Sequence, residues 1–167
     1  MKELPPKDAF SKLKPEWVVF VISIDENQKP SGLIAARFMK CSRSPPLIAV
    51  FIGKKSNTYN LIKSSKEFIV ATANNDLLEH IEIFGKQSGK DIDKFEETKI
   101  ETIPAKHIKT PLLKKATINF ECKLEQEIDV GNSSIFLGKV LATHINEDKK
   151  TLYNFGKGYG DYNFKEL

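Results

Sequence analysis

Apolar runs broken by short polar segments dominate this chain, and most of the runs have the length and composition of β-strands. Residues 17–24 (WVVFVISI) are almost wholly apolar and rich in β-branched and aromatic side chains, which predicts a buried strand. The polar stretch DENQKP at 25–30 reads as a turn into a second strand near 33–38. Pro45 and Pro46 break the chain before a third strand at 47–52, and residues 68–73 form a fourth. The clearest pattern lies at 116–128. There Ala116, Ile118, Phe120, Cys122 and Leu124 alternate with Thr117, Asn119, Glu121, Lys123 and Glu125. Period-two alternation of this kind predicts a strand with one face in water. The segment DVGNS at 129–133 turns the chain, and residues 134–145 return as the partner strand, with Gly138 marking a bulge or a barrel bend.

Two segments have helical spacing instead. Ser56 or Asn57 can cap a helix running to about Ser65, with Tyr59, Leu61 and Ile62 on its inner side. Asn74 or Asn75 can cap another, in which Leu77, Leu78, Ile81 and Phe84 recur at helical intervals and Gly85 ends the run. Between residues 86 and 110 the pattern weakens into a long excursion with a short helical turn at 91–97, and excursions of that length are often functional. Residues 1–15, with Pro5, Pro6 and Pro15, read as an arm lying over the fold. Residues 153–167, rich in Gly and aromatic side chains, read as a tail packing across the surface. No repeat or linker interrupts the chain, so residues 1–167 are expected to form a single domain. Hairpin-joined strands with two or three helices predict a mainly β fold, a small antiparallel β-barrel with helical insertions.

Composition narrows the function. The 167 residues are 40% hydrophobic, enough for a sizeable core. The net charge of +4 comes from 26 basic and 22 acidic side chains mixed along the chain, and Arg occurs only at 37 and 43. That is a solvated Lys/Glu surface rather than the basic stripe of a nucleic-acid binder. No apolar run is long enough to span a bilayer, and the opening MKELPPKDAFSKLKPEW has no signal-peptide core, so a soluble, cytoplasmic protein is expected. Cys41 and Cys122 are far apart and read as small core hydrophobes. His80, His107 and His144 show no ligand spacing, His80 reads as a surface residue, and no metal site is expected. No nucleophile elbow and no pair of catalytic carboxylates is present, so no catalytic residue is assigned. The run Gly156-Lys157-Gly158-Tyr159-Gly160 follows no strong strand and opens no helix, which makes it a flexible tail rather than a dinucleotide fingerprint.

One segment carries candidate chemistry. After the strand at 47–52 come Gly53, Lys54, Lys55, Ser56, Asn57 and Thr58, at the start of a helix. Helix-start N–H groups, two hydroxyls and an ammonium can hold a phosphate. The same residues also make an ordinary N-cap flanked by solvated lysines, and they lack the spacing of a P-loop. A chain with a phosphate corner and no acid/base machinery of its own suits chemistry carried by a bound cofactor.

The order of these features resembles the flavin reductase-like, FMN-binding split-barrel family, nearest to its flavoredoxin-like branch. The resemblance runs over nearly the whole chain. Small residues precede Phe38, Ser42 stands before Pro45-Pro46, and a strand leads to Lys55 and Thr58 at a helix start. Glu67-Phe68-Ile69-Val70, Ile83-Phe84-Gly85, the SGKDIDKF stretch from Ser88 to Phe95, Pro111-Leu112 and Phe120-Glu121-Cys122 follow in the family's order. The resemblance implies a split barrel that binds FMN. Backbone groups around Ala35, Ala36, Arg37 and Met39 would meet the isoalloxazine ring, with Cys41 and Ser42 beside it. Gly53, Lys54, Lys55, Ser56 and Thr58 would hold the phosphate, and Lys94 and Phe95 would close over the site. Where the family often has Asn near Ser31, Thr or Ser at Ile34 and Ala36, and Val-Asn at Val70-Ala71, this chain is smaller or apolar.

The activity so implied is an FMN-dependent oxidoreductase of the NAD(P)H:flavin reductase type. Hydride would pass from nicotinamide to flavin N5, with an unknown electron acceptor and a homodimer that places the flavin near its interface. The alternatives are an FMN-carrying electron-transfer protein without direct NAD(P)H activity, and a binding module that kept the barrel and lost the flavin.

Overall fold

The computed structural model describes residues 1–156 and 162–167, so Lys157, Gly158, Tyr159 and Gly160 of the glycine-rich run lie outside the described residues. In chain order the elements are α1 (Pro6–Ala9), β1 (Glu16–Trp17), β2 (Val19–Ile24), β3 (Pro30–Ala35), β4 (Phe38–Arg43), β5 (Pro46–Gly53), α2 (Asn57–Ser65), β6 (Glu67–Thr72), α3 (Leu78–Lys86), α4 (Lys94–Thr98), β7 (Thr102–Ile103), β8 (Leu112–Leu113), β9 (Ile118–Val130), β10 (Ser133–Ile145), β11 (Leu152–Asn154) and β12 (Phe164–Glu166). The main sheet has seven strands in the order β3-β2-β6-β9-β10-β5-β4, with every pairing antiparallel. Its two ends, β3 and β4, are joined through Ala36 and Arg37, and the Phe51 N–H donates to the Arg37 carbonyl at 3.1 Å, extending the β4–β5 ladder.

The apolar run of β2 forms a strand because both of its faces are covered. Val19 and Val21 point into the barrel with Val50, Phe68, Val70, Cys122 and Phe136. Phe20 and Ile22 point the other way, into a second core with Ile69, Ala71, Ile81, Phe84 and Leu113. α3 and the excursion after it lie over this second core. A strand sandwiched in this way has no position left for a polar side chain, apart from a hydrogen-bonded one such as Ser23, whose hydroxyl donates to Glu67 O at 2.8 Å.

The structure departs from the sequence expectations in four places. The strand expected near 33–38 is two strands, β3 and β4, separated where Ala36 and Arg37 leave the ladder. β4 is an edge strand with a single buried residue, Phe38, so no hydrophobic alternation announces it. The wet face expected on the strand at 116–128 is covered over its first half, where Asn119 and Glu121 are fully or almost fully buried. His80, expected at the surface, is buried on α3, and the loss of water lowers its pKa. Cys41, expected to pack in the core, lies exposed on the open edge of β4, whereas Cys122 is buried. By contrast, Gly138 does mark a bulge between β9 and β10. A Cβ there would stand 2.5 Å from Phe68 Cζ.

Candidate functional site

A cleft of about 580 Å³ opens where β3 hands over to β4. That volume lies within the roughly 300–1,000 Å³ of typical small-molecule and cofactor sites. Its floor is the backbone and side chains of Leu33, Ile34, Ala35, Ala36 and Arg37, with Phe51 and Gly53 from β5 beside them and Ile81 and Gly85 from α3 behind. The chain ends supply the rim: Phe10, Lys14 and Trp17 from one side, Tyr162 and Phe164 from the other.

Local chemistry places each of these parts. Trp17 is wedged edge-on against Phe38 (centroids 5.6 Å apart) and tilted on Tyr153 at 4.8 Å. The buried Asn154 accepts hydrogen bonds from Gly156 N at 2.9 Å and Asn163 N at 3.1 Å. That clasp returns the tail to the cleft, where Tyr162 and Phe164 stack at 5.1 Å. Lys14 and Glu16 pair with each other. The Arg37 guanidinium lies over the Phe51 ring, 5.5 Å from its centroid.

At the end of the cleft, Gly53 leads into α2. A Cβ on Gly53 would meet nothing within 4 Å, so the backbone there borders open space. Ser56 caps the helix. Its hydroxyl accepts from Tyr59 N at 3.2 Å and donates to Gly53 O at 2.9 Å. Lys54 is ion-paired with Asp129 on the β9–β10 hairpin, and its N–H donates to Asn132 O at 3.1 Å. Lys55 is exposed, and Thr58 is buried in the first turn. Of the six residues 53–58, the groups still available to an anion are the Lys55 ammonium and the first-turn N–H groups of Asn57 and Thr58. Sequence reasoning counted Lys54 and the Ser56 hydroxyl as well. Asp129, 75 residues further on, takes the first and the cap consumes the second.

The structure thus brings Ala35, Ala36, Arg37 and Gly53 into one cleft, with the 54–58 corner at its end. Met39, Cys41 and Ser42 follow on β4, and Cys41 and Ser42 line a separate groove with Lys40 and Phe120. Lys94 and Phe95 pack behind the cleft rather than over it. Lys94 is buried, and its ammonium donates to Gly32 O at 2.8 Å and Phe84 O at 2.9 Å. Burial pushes its pKa down to about 8. Phe95 packs edge-on against Phe84. Sequence reasoning missed Trp17, Phe51, Tyr162 and Phe164 as cleft residues; the aromatic richness of the tail was the one signal that pointed to them.

The SGKDIDKF stretch fastens the elements around the site. Gly89 sits so close to β3 that a Cβ would lie 2.3 Å from Ser31 Oγ and 3.2 Å from Asn57 Nδ2. Asn57 Nδ2 in turn donates to Gly89 O at 3.3 Å. Asp93 caps α4 through Phe95 N and Glu96 N and pairs with Lys29 at 2.8 Å. Gly89→Ala is therefore expected to cost about 1–3 kcal/mol in urea unfolding. Ser31 Oγ is buried with no hydrogen-bond partner among the described residues, so Ser31→Ala alone should be close to neutral and should recover part of the loss in the double variant. Equal losses with and without Ser31→Ala would show that the crowding lies elsewhere.

Comparison with known proteins bears directly on this cleft. The family described as a flavin reductase like domain matches residues 13–163. The chain belongs to that family. A ferric-chelate reductase (NAD(P)H) of Archaeoglobus fulgidus is 26% identical over 93% of this chain and 87% of its own length. Among solved structures, flavoredoxin from Methanosarcina acetivorans superposes with a TM-score of 0.86 at 17% identity, over 100% of this chain and 91% of its own. An NADH:FAD oxidoreductase of Streptomyces globisporus superposes with a TM-score of 0.84 at 19% identity, over 100% and 98%. At those identities the superpositions establish the fold, the split barrel. Membership makes the chain a flavin-associated redox protein of the flavin reductase like family. No helix among the described residues is long and apolar enough to cross a membrane.

The cleft of this flavin reductase-like chain fits such a group. A mostly apolar floor with aromatic walls suits a tricyclic ring, and Gly53, with no side chain to intrude, opens towards a helix start that suits a phosphate.

Proposed function

We propose that this protein is an FMN-binding NAD(P)H:flavin reductase, with residues 1–167 acting as one domain. The observation that carries this reading is the joining of an apolar cleft at Ala35, Ala36 and Arg37 to a helix-start anion corner through Gly53. Bound flavin would supply the hydride-accepting chemistry that this chain's side chains lack. The residues' own work is to bind, orient and exclude water. The floor residues offer backbone polar groups beside an apolar surface, where a ring can stack and hydrogen-bond at its edge. Lys55 and the first turn of α2 offer charge and N–H donors to the phosphate. Trp17, Tyr162 and Phe164 on the rim would shield a bound ring from water, which would strengthen the polar contacts beneath it. We also propose a homodimer with the flavin near its interface, and a cytoplasmic setting, which suits nicotinamide as the electron source.

The purified protein, reconstituted with FMN, is expected to show the two-band flavin spectrum and to bleach rapidly on mixing with NADH or NADPH. Bleaching only by a reduced protein partner would make it an electron carrier instead. A protein that stays colourless and does not bind added FMN would sink both readings. Lys55→Ala should weaken FMN about tenfold, the scale of one charge-assisted hydrogen bond, and leave riboflavin unchanged, since riboflavin lacks the phosphate. Equal losses for FMN and riboflavin would move the phosphate away from this corner.

A further inference from the structure

Among the described residues, the cleft carries one charge that its lining does not answer. That lining holds two cations, Lys14 and Arg37, and one carboxylate, Glu16. Lys14 and Glu16 are paired with each other. Arg37 forms no ion pair among the described residues, and a guanidinium stays protonated at any working pH. It is one of only two arginines in the chain. Its place is set by two contacts. Its carbonyl accepts the Phe51 N–H at 3.1 Å, and its guanidinium lies over the Phe51 ring at 5.5 Å. The stack restrains the planar fork while leaving its in-plane N–H donors to the cleft.

Arg37 is exposed to solvent at the cleft, and, restrained on Phe51 and free of any ion pair among the described residues, its guanidinium is available to an anionic ligand group. The flavin phosphate already has its own place at Lys55 and the start of α2, beyond Gly53. A second anion implies a second ligand. We propose that Arg37 holds a phosphate group of the nicotinamide dinucleotide that delivers hydride in this cleft. The inference rests on the reductase reading above. Its chemistry is shared by two sources, the dinucleotide's pyrophosphate and the 2′-phosphate present only in NADPH.

The test compares wild type, Arg37→Gln and Arg37→Lys, all loaded with FMN, for flavin reduction by NADH and by NADPH, together with the affinity of each variant for FMN and riboflavin. Arg37→Gln should raise KM for the dinucleotide about tenfold or more, with a smaller change in kcat, and any change in FMN affinity should be matched by riboflavin, because this part of the floor meets only the ring. A rise for NADPH alone assigns the 2′-phosphate, and an equal rise for both assigns the pyrophosphate. Arg37→Lys should recover part of the loss, because it keeps the charge but not the fork. An unchanged KM in Arg37→Gln overturns the inference and leaves the reductase reading standing. So does a fall in FMN affinity with riboflavin unaffected, which would make Arg37 a second anchor for the flavin phosphate. Wild-type protein that binds FMN but is reduced by neither dinucleotide overturns both.

Discussion

Glu121→Leu is expected to cost about 3–5 kcal/mol of stability in urea unfolding at pH 7, a large share of what a domain of this size possesses. The Glu121 side chain is 0% exposed, yet its carboxylate is fully engaged. It accepts from Lys106 N at 2.9 Å and His107 N at 2.7 Å, and His144 Nε2 lies 2.6 Å from it. Leucine would fill much of the space and strand all three groups, and an unpaired buried donor costs about 1–3 kcal/mol. Glu67 on the neighbouring strand β6 does the same for the next part of the loop, taking Lys109 N and Thr110 N, each at 2.8 Å. These carboxylates hold residues 106–110 over the second core. Hydrogen exchange should therefore show the Lys106 and His107 amides losing protection in Glu121→Leu beyond the global loss. A cost under about 1 kcal/mol would mean that water reaches the site and replaces the bonds. Burial by itself would raise the Glu121 pKa, but the hydrogen bonds from Lys106, His107 and His144 together outweigh it and hold the carboxyl below its usual range. A carboxyl lowered on folding stabilises the protein above its unfolded pKa of about 4.3, and the contribution is lost as pH falls through the folded value. Acid should thus release this loop, and Glu121→Leu should remove that part of the acid sensitivity.

Lys94 predicts a second rise of stability with pH, at the alkaline end. Lys94 is 2% exposed, and its ammonium has two carbonyls for company, Gly32 O and Phe84 O, with no carboxylate among the described residues. Phe84 O belongs to the last turn of α3, where carbonyls lack helical partners and the helix dipole favours a cation, so the bond caps that helix and ties it to β3. The cost is a charge out of water, which lowers the pKa from 10.5 to about 8. Below about pH 8 the folded and unfolded chains both carry the proton, and the full cost of burying the charge is present. Between about 8 and 10.4 the folded chain has released the proton while the unfolded chain still holds it, so stability rises with pH. The rise should reach about 3 kcal/mol by pH 10.5. Lys94→Met removes the titrating group. Urea unfolding of both proteins from pH 7 to 10.5 should show the wild type gaining on the variant by that amount. Parallel curves would show that Lys94 is better solvated than its burial indicates.

The two residues mark where sequence patterns stop being informative. Alternation along β9 was legible, and with it the strand, its partner β10 and the bulge at Gly138. What covers each face was not. Period two says that Glu121 and Cys122 face opposite ways, and it is silent on whether water or a loop backbone meets the carboxylate. Lys94 is expected, from the family resemblance, to close over the site, and only the packing of α3 and β3 around it shows it buried. β4 escaped notice because an edge strand with one buried side chain carries almost no hydrophobic signal. The β5–α2 corner was legible because capping is local chemistry: Ser56 lies three residues before the N–H that it caps.

By itself the chain determined the mainly β fold, the strands with two buried faces, the capped helices and the order of motifs that marks a flavin reductase-like protein. Each of these depends on residues close in sequence or on a period that any solvent boundary imposes. Only the tertiary structure decided the cleft, which draws on Trp17, Arg37, Phe51, Gly85 and Phe164 from five separate segments. It alone showed that Lys54 is spent on Asp129, that Lys94 is buried, and that Arg37, lying over Phe51, forms no ion pair among the described residues. Ion pairing and desolvation depend on which distant segment arrives next to a charge, and folding of the whole chain settles that.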